Sequence, residues 1–238
     1  YRRSDVVTDI VSIGGVPPDG QVHGNAALVA VSRDESRAIT VRPLTDIDPV
    51  DRAFLWDLSG APFSRTDISG GTIDTVTAAV SGNGLFAVLS TGTDGIVTGD
   101  DNGKRDVLLY SSVTDSFSLL SVAHDGTAAD GDSDWPSTSA DGSRTTFLST
   151  ATNLLPAGTD GAASVFLRDI GTGTTTRLNN RLDGTAPGPA ERPVISADGN
   201  CVTFASSDAG LVANDTNGKC DVFIVQSDAT GLERVSVG

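Results

Sequence analysis

The sequence predicts an all-β chain folded as a β-propeller of about four four-stranded blades, with one extra strand near its N-terminus. Three observations predict it. Short alternating runs rich in Val, Thr, Ile and Phe are punctuated by Asp-Gly, Asn-Gly and Thr-Gly, which reads as antiparallel strands joined by turns. The runs return in the same order about every 50 to 58 residues, near the length of a propeller blade. The 27 glycines leave no dozen-residue stretch with helical apolar spacing.

Each unit opens with a hairpin. ISADGNCVTFASS around Asp198 matches TSADGSRTTFLST around Asp141, VSGNGLFAVLS around Asn83 and, more faintly, VSRDESRAITV around Asp34. A polar loop and a third strand follow: DPVDRAFLWD from Asp48, DDNGKRDVLLY from Asp100, GTDGAASVFLRD from Gly158 and DTNGKCDVFIV from Asp215. The fourth strands are PFSRTDI, FSLLSVA, TTTRLNN and LERVSVG. The repeats then fall at approximately 19–73, 74–130, 131–188 and 189–238, within a single domain. Residues 1–18 are an extra terminal-strand segment, since VSIG at Val11–Gly14 matches VSVG at Val235–Gly238. Either it adds a strand to the last blade or the chain was cut from a longer array. Ring closure, or a homodimer through the terminal blades, would cover the exposed edges.

At 238 residues and 38% apolar content the chain can bury a substantial core. No apolar run nears the roughly 18 residues that cross a bilayer, so no membrane insertion is expected. A chain without methionine, starting at Tyr1, fits a processed protein and an extracellular or periplasmic location. The net charge of −15 disfavours nucleic acid and favours cations and basic protein surfaces. Cys201 and Cys220 would stand at opposite ends of one hairpin, as two separate thiols.

The succession SADG, VTFAS, DTNGKCDVFIV and SDATGLERVS resembles the TolB-like propeller repeat, in which a Ser-x-Asp-Gly turn precedes one strand and a polar Asn-Gly or Asp-Gly loop precedes an Asp-Val-Phe-like strand. The resemblance spans nearly the whole chain and is most specific over residues 75–238. It implies a propeller and no particular activity. Such propellers include periplasmic partners of lipoproteins and the non-catalytic domains of some peptidases.

In a four-stranded blade, the loop between the second and third strands shares a face with the loop to the next blade. This places Asp46, Asp48, Asp51, Asp100, Asp101, Asn102, Asp106, Asp160, Asp215, Asn217 and Asp221 beside Asp19, Asp74, Asp125, Asp130, Asp132, Asp134 and Asp183, with His23 and His124. In the D-x-N-G-x-x-D spacing, Asp100, Asn102 and Asp106, and likewise Asp215, Asn217 and Asp221, offer hard oxygen ligands for Ca²⁺. The same letters are also ordinary turn chemistry. No G-x-S-x-G, H-E-x-x-H or P-loop occurs. The G-x-G-x-x-A match at Gly82, Gly84 and Ala87 occupies the hairpin slot and precedes a strand, which excludes a dinucleotide site.

Candidate catalytic residues are His124 as base, Asp125 as its orienting acid and Ser133 as nucleophile, with His23 as a second base. Trp135, before Pro136 and near the acidic face, together with His124, is the candidate ligand contact; Trp56 is expected to pack between blades. The sequence therefore leaves three readings open. One is a module binding a protein or carbohydrate through the acidic face, with Ca²⁺ as a structural ion. Another is a lyase or hydrolase at the channel mouth, and the third is an architectural domain.

Overall fold

The computed structural model describes residues 27–42, 52–60, 64–68 and 75–236. His23, Asp19, Asp46, Asp48, Asp51, Asp74 and the VSIG segment lie outside them. The described strands form four antiparallel four-stranded sheets, each in chain order. The first holds β1 (Ala27–Val31), β2 (Arg37–Arg42), β3 (Arg52–Asp57) and β4 (Ser64–Asp67); the second holds β5 (Thr75–Val80), β6 (Phe86–Thr91), β7 (Asp106–Ser111) and β8 (Ser116–Leu119). The third holds β9 (Ser133–Thr138), β10 (Arg144–Ser149), β11 (Ser164–Asp169) and β12 (Thr174–Arg177); the fourth holds β13 (Ala190–Ile195), β14 (Cys201–Ser206), β15 (Asp221–Gln226) and β16 (Glu233–Arg234). The four sequence units are thus four blades. The first strand of each packs on the first strand of the next, β1 on β5, β5 on β9 and β9 on β13, so these strands are innermost.

Side-chain alternation along the middle strands explains the core. On β6, Ala87 and Leu89 point into a cluster with Ile39 and Leu55 of the first sheet, whereas Val88 joins Phe147 and Phe166 of the third. Successive residues of a strand face opposite ways. A blade between two others therefore needs apolar residues at both parities, which is why FAVLS and DVLLY read as continuous apolar runs. The third and fourth sheets meet across Val165, Leu167, Phe204 and Phe223, with Phe204 and Phe223 stacked at 5.6 Å. On the far side of the fourth sheet the pattern relaxes, and Val222 is 43% exposed.

Turns of the Ser-x-Asp-Gly kind, with Asn83 for the aspartate in the second and Glu35 for the glycine in the first, join β1 to β2, β5 to β6, β9 to β10 and β13 to β14. In the third, Ser139 Oγ donates to Asp141 Oδ1 at 2.7 Å, Asp141 Oδ1 also accepts Ser143 N–H at 3.0 Å, and Gly142 takes φ +73°. These turns also link the blades: Asp34 N–H donates to Gly82 O, Asn83 N–H to Ala140 O and Ala140 N–H to Ala197 O. Gly82 is one such link, where a Cβ would lie 2.7 Å from Ala140 Cβ. Its glycine is explained by close turn packing.

Three of the residues singled out from sequence are placed here. Cys201 and Cys220 are free thiols; Cys201 pairs across the sheet with Gln226, while Cys220 precedes Asp221 at the other end of the same hairpin. Trp56 is buried against Ala38 and Phe54 of its own sheet, its Nε1 donating to Thr40 Oγ1 at 2.9 Å. In that cluster its described neighbours belong to its own sheet.

Candidate functional site

The loop classes expected to share a face do so. Asn102 Nδ2, in the loop between β6 and β7, donates to Ala129 O at 2.8 Å, and Arg105 N–H donates to Asp132 Oδ1 at 2.9 Å. Asp130 reaches the loop after β10, where its Oδ1 accepts Thr152 N–H at 2.5 Å. The acidic loop between the second and third blades is in this way fastened to polar loops of both.

Within this face, the D-x-N-G-x-x-D loops build the same frame twice. Asp106 Oδ1 accepts Ser121 Oγ–H at 2.5 Å and its Oδ2 accepts Asn102 Nδ2–H at 2.8 Å. Asp221 accepts Ser236 Oγ–H at 2.5 Å and Asn217 Nδ2–H at 3.0 Å. Both asparagines therefore show nitrogen to the carboxylate, and their oxygens accept Lys104 N–H and Lys219 N–H. Asn102 and Asn217 support the aspartates and do not turn an oxygen towards them, unlike the ligand set read from the spacing. In the third sheet Ser164 replaces the second aspartate, and its Oγ and Asn179 Nδ2 are buried without partners.

The two acidic frames differ in charge compensation. Asp215 Oδ1 accepts Arg234 Nη1–H at 2.8 Å, and the same nitrogen stands 3.6 Å from Asp221 Oδ2. The hydrogen bond from Ser236, with those of Asn217 and Arg234, holds the Asp221 carboxyl below its ordinary value. Asp100 and Asp106 are 2% and 1% exposed, and Asp100 Oδ1 has no hydrogen-bond partner. Burial, aided by the neighbouring Asp106 charge, pushes Asp100 up to about 7, and burial also raises Asp106. Among the described residues no three His, Cys, Asp or Glu side chains are already arranged as a metal-binding group.

The candidate catalytic residues that are described, His124, Asp125 and Ser133, are not hydrogen-bonded to one another. His124 Nδ1 lies 3.0 Å from Asn153 O, Asp125 Oδ1 accepts from Thr127, and the fully buried Ser133 donates to Ser149 Oγ at 2.9 Å. Asp125 is held below its ordinary value by the Thr127 donors. This is turn chemistry around a solvent-facing histidine, with Ser133 withdrawn into the sheet.

Trp135 has a different setting. It stands on innermost strand β9, 45% exposed, in a cavity of about 580 Å³ lined by residues of β5, β9 and β13, including Thr77, Ser137 and Val194. Arg192 lies over its indole, Cζ 5.8 Å from the ring centroid. The two occupy the same place in successive repeats, each followed by proline (Pro136, Pro193) and each at a break in strand register. Both take positive φ, +54° at Trp135 and +50° at Arg192. A bulky residue before proline is disfavoured there, so this is stored backbone strain. Asp134 holds the bulge: its Oδ1 accepts from Thr77, Ser90 and Trp135 N–H at 2.6, 2.7 and 2.7 Å, and its Oδ2 lies 3.2 Å from Arg105 Nη1. Since Ser133 N–H bonds Arg105 O, the cavity lies just inside the acidic loop face. Asp134 was expected on the acidic face without this role, and Arg192 was not among the residues singled out from sequence, although Trp-Pro and Arg-Pro each begin six residues before a turn aspartate.

No family model matches the chain, and no curated protein matches it. Solved propeller structures do. A putative TolB from Agrobacterium tumefaciens superposes with TM-score 0.58 at 20% identity, covering 92% of this chain and 65% of that one. The β-propeller domain of the Trilobed protease from Pyrococcus furiosus gives TM-score 0.53 at 10% identity, over 88% of this chain and 56% of that one. A puromycin-hydrolyzing peptidase of Mycobacterium tuberculosis gives 0.58 at 11%, over 90% of this chain and 30% of that one. The chain spans less than two thirds of each of these structures, and the likeness establishes a β-propeller fold.

Proposed function

We propose that this propeller is a binding module that receives a protein segment at the mouth of its channel, anchored on Trp135 and Arg192. One observation carries the reading: two adjacent innermost strands hold a tryptophan and an arginine in strained, solvent-facing positions over a common cavity. Trp and Arg are the residues that most often dominate protein-interface energetics. A bulge that exposes an indole costs stability without improving the fold, which argues for a use at that position. The surrounding acidic loops would steer basic partners towards the mouth. The described residues lining the cavity offer hydroxyls, prolines and a guanidinium, and among them no carboxylate or imidazole for acid–base work. Working outside the cytoplasm, in an extracellular or periplasmic setting, is part of the same proposal and rests on the repeat resemblance.

Selection of a random displayed peptide library on the immobilised chain tests this. Peptides recovered on the wild type are expected to bind at least about tenfold more weakly to Trp135→Ala and to Arg192→Ala, as for an interface hot spot. Arg33→Ala, at the opposite turn face, is expected to bind them normally. Peptides indifferent to both cavity variants would overturn the reading.

A further inference from the structure

We propose that the second blade carries a calcium site at Asp100 and Asp106, and that the fourth blade has replaced the same ion with the guanidinium of Arg234. The register of the sheets makes the comparison residue by residue. Arg234 pairs across the sheet with Phe223, two residues after Asp221; Leu119 pairs with Leu108, two residues after Asp106. Leu119 is therefore the counterpart of Arg234, as Ser121 is of Ser236 and Asp100 is of Asp215. Every other element of the frame is kept: the serine on the second carboxylate, the asparagine nitrogen beside it, and the serine oxygen accepting the following N–H, from Val107 and from Val222 at 3.0 Å each. Only the positive charge is missing.

The third blade supports the pairing of cation and carboxylates from the other direction. There Gly158 and Ser164 stand where the aspartates would be. The arginine at the Arg234 position, Arg177, turns to Asn180 Oδ1 at 2.9 Å. Where the carboxylates are lost the arginine finds another partner, and where both are present it sits between them. Among the three blades whose loop is described, the second alone buries two aspartates with no cation beside them. Its Asp100 Oδ1 is sealed from solvent and unpaired. Asp94, whose Oδ1 accepts Gly103 N–H at 3.1 Å, adds a further carboxylate to the loop. The side-chain partner of the Asp100 carboxyl is the Asp106 carboxyl, and a buried carboxylate that meets another carboxylate and no counter-charge is strongly disfavoured. Carboxylate oxygens in a Gly-containing loop suit Ca²⁺ better than a softer metal.

The test uses the purified chain stripped with EDTA and titrated with CaCl₂ by calorimetry, with parallel thermal unfolding. One site per chain and a midpoint that rises by several degrees in millimolar Ca²⁺ are expected, because an ion bound only by the native state stabilises it. Asp100→Asn is expected to weaken Ca²⁺ binding by at least about tenfold by removing a charged ligand. Leu119→Arg should abolish the Ca²⁺ response while raising the midpoint in EDTA, and Arg234→Leu should add a second site. Should Leu119→Arg not fold, Asp100→Asn decides alone. Absence of a Ca²⁺ response in the wild type, as for a carboxylate pair that only shares a proton, would overturn the proposal. So would a response that Asp100→Asn leaves intact.

Discussion

Arg234 donates from Nη1 to Asp215 Oδ1 at 2.8 Å and so ties the outermost strand of the fourth blade to the loop that precedes β15. The side chains of Asp215 and Asp221 are 3% and 4% exposed, against 27% for Arg234. Truncation to Arg234→Leu, measured by urea unfolding in EDTA, is expected to cost about 1–3 kcal/mol, because two buried carboxylates lose their counter-charge. A loss below about 0.5 kcal/mol, as for an exposed surface pair, would show that the bridge is not what stabilises the loop.

Phe166 is fully buried between the second and third sheets and stacks on Phe147 with centroids 6.0 Å apart. Phe166→Ala is expected to destabilise by about 3–5 kcal/mol through lost burial and a cavity. Leu85, 41% exposed in a turn, is the control, and its change to Ala should stay within about 0.5 kcal/mol.

At Gly142 the backbone has φ +73°, and a Cβ would lie 2.3 Å from Phe86 Cδ2 in the neighbouring blade. Gly142→Ala should therefore lower the thermal midpoint more than Gly126→Ala. The latter has φ +90° but open space around it, so only the backbone penalty of about 1 kcal/mol applies. Equal effects would mean that the blade contact yields without cost.

The turn donors from Ser139 and Ser143 hold the Asp141 carboxyl down at about 2, against an ordinary 3.8. A depressed folded value stabilises above the unfolded pKa and is lost as pH falls, so this contribution disappears between about pH 4 and pH 2. Asp141→Asn should flatten that part of the stability profile. Tyr110 runs the other way: burial and its hydrogen bond to Asp115 raise it from 10.0 to about 12, so its contribution fades as pH rises across that interval. Tyr110→Phe should remove the alkaline fall. Unchanged profiles in either variant would contradict these assignments.

Much of the architecture was legible because the repeat signals are local. Ser-x-Asp-Gly specifies its own turn through a side chain two residues from the amide it caps, and the strands between turns show their apolar runs directly. The assignment of loops to one face followed from strand order alone, and the Asn102 to Ala129 hydrogen bond agrees with it. What the sequence hid depends on register. Whether a basic residue meets Asp215 requires knowing that Arg234 lies opposite Phe223, nineteen residues further along the chain than the aspartate it pairs. The bulges at Trp135 and Arg192 were hidden for another reason. A residue before proline is expected to be extended, and at Trp135 the positive φ goes with hydrogen bonds from Thr77 and Ser90 of the neighbouring blade to Asp134, which the sequence does not show. Ser133 looked reactive beside His124 in sequence, yet the first residue of an innermost strand is sealed against the strand that follows it.

The most direct test of the binding account uses Trp135 itself as the reporter. The chain has two tryptophans, and Trp56 is only 6% exposed, so Trp56→Phe leaves Trp135 as the sole emitter. Titration of that variant with a library-selected peptide is predicted to shift its emission to the blue and to shield it from acrylamide quenching as the indole is covered. A peptide that binds at full affinity while Trp135 emission and quenching stay unchanged would contradict the claim that this cavity is where the propeller takes its partner.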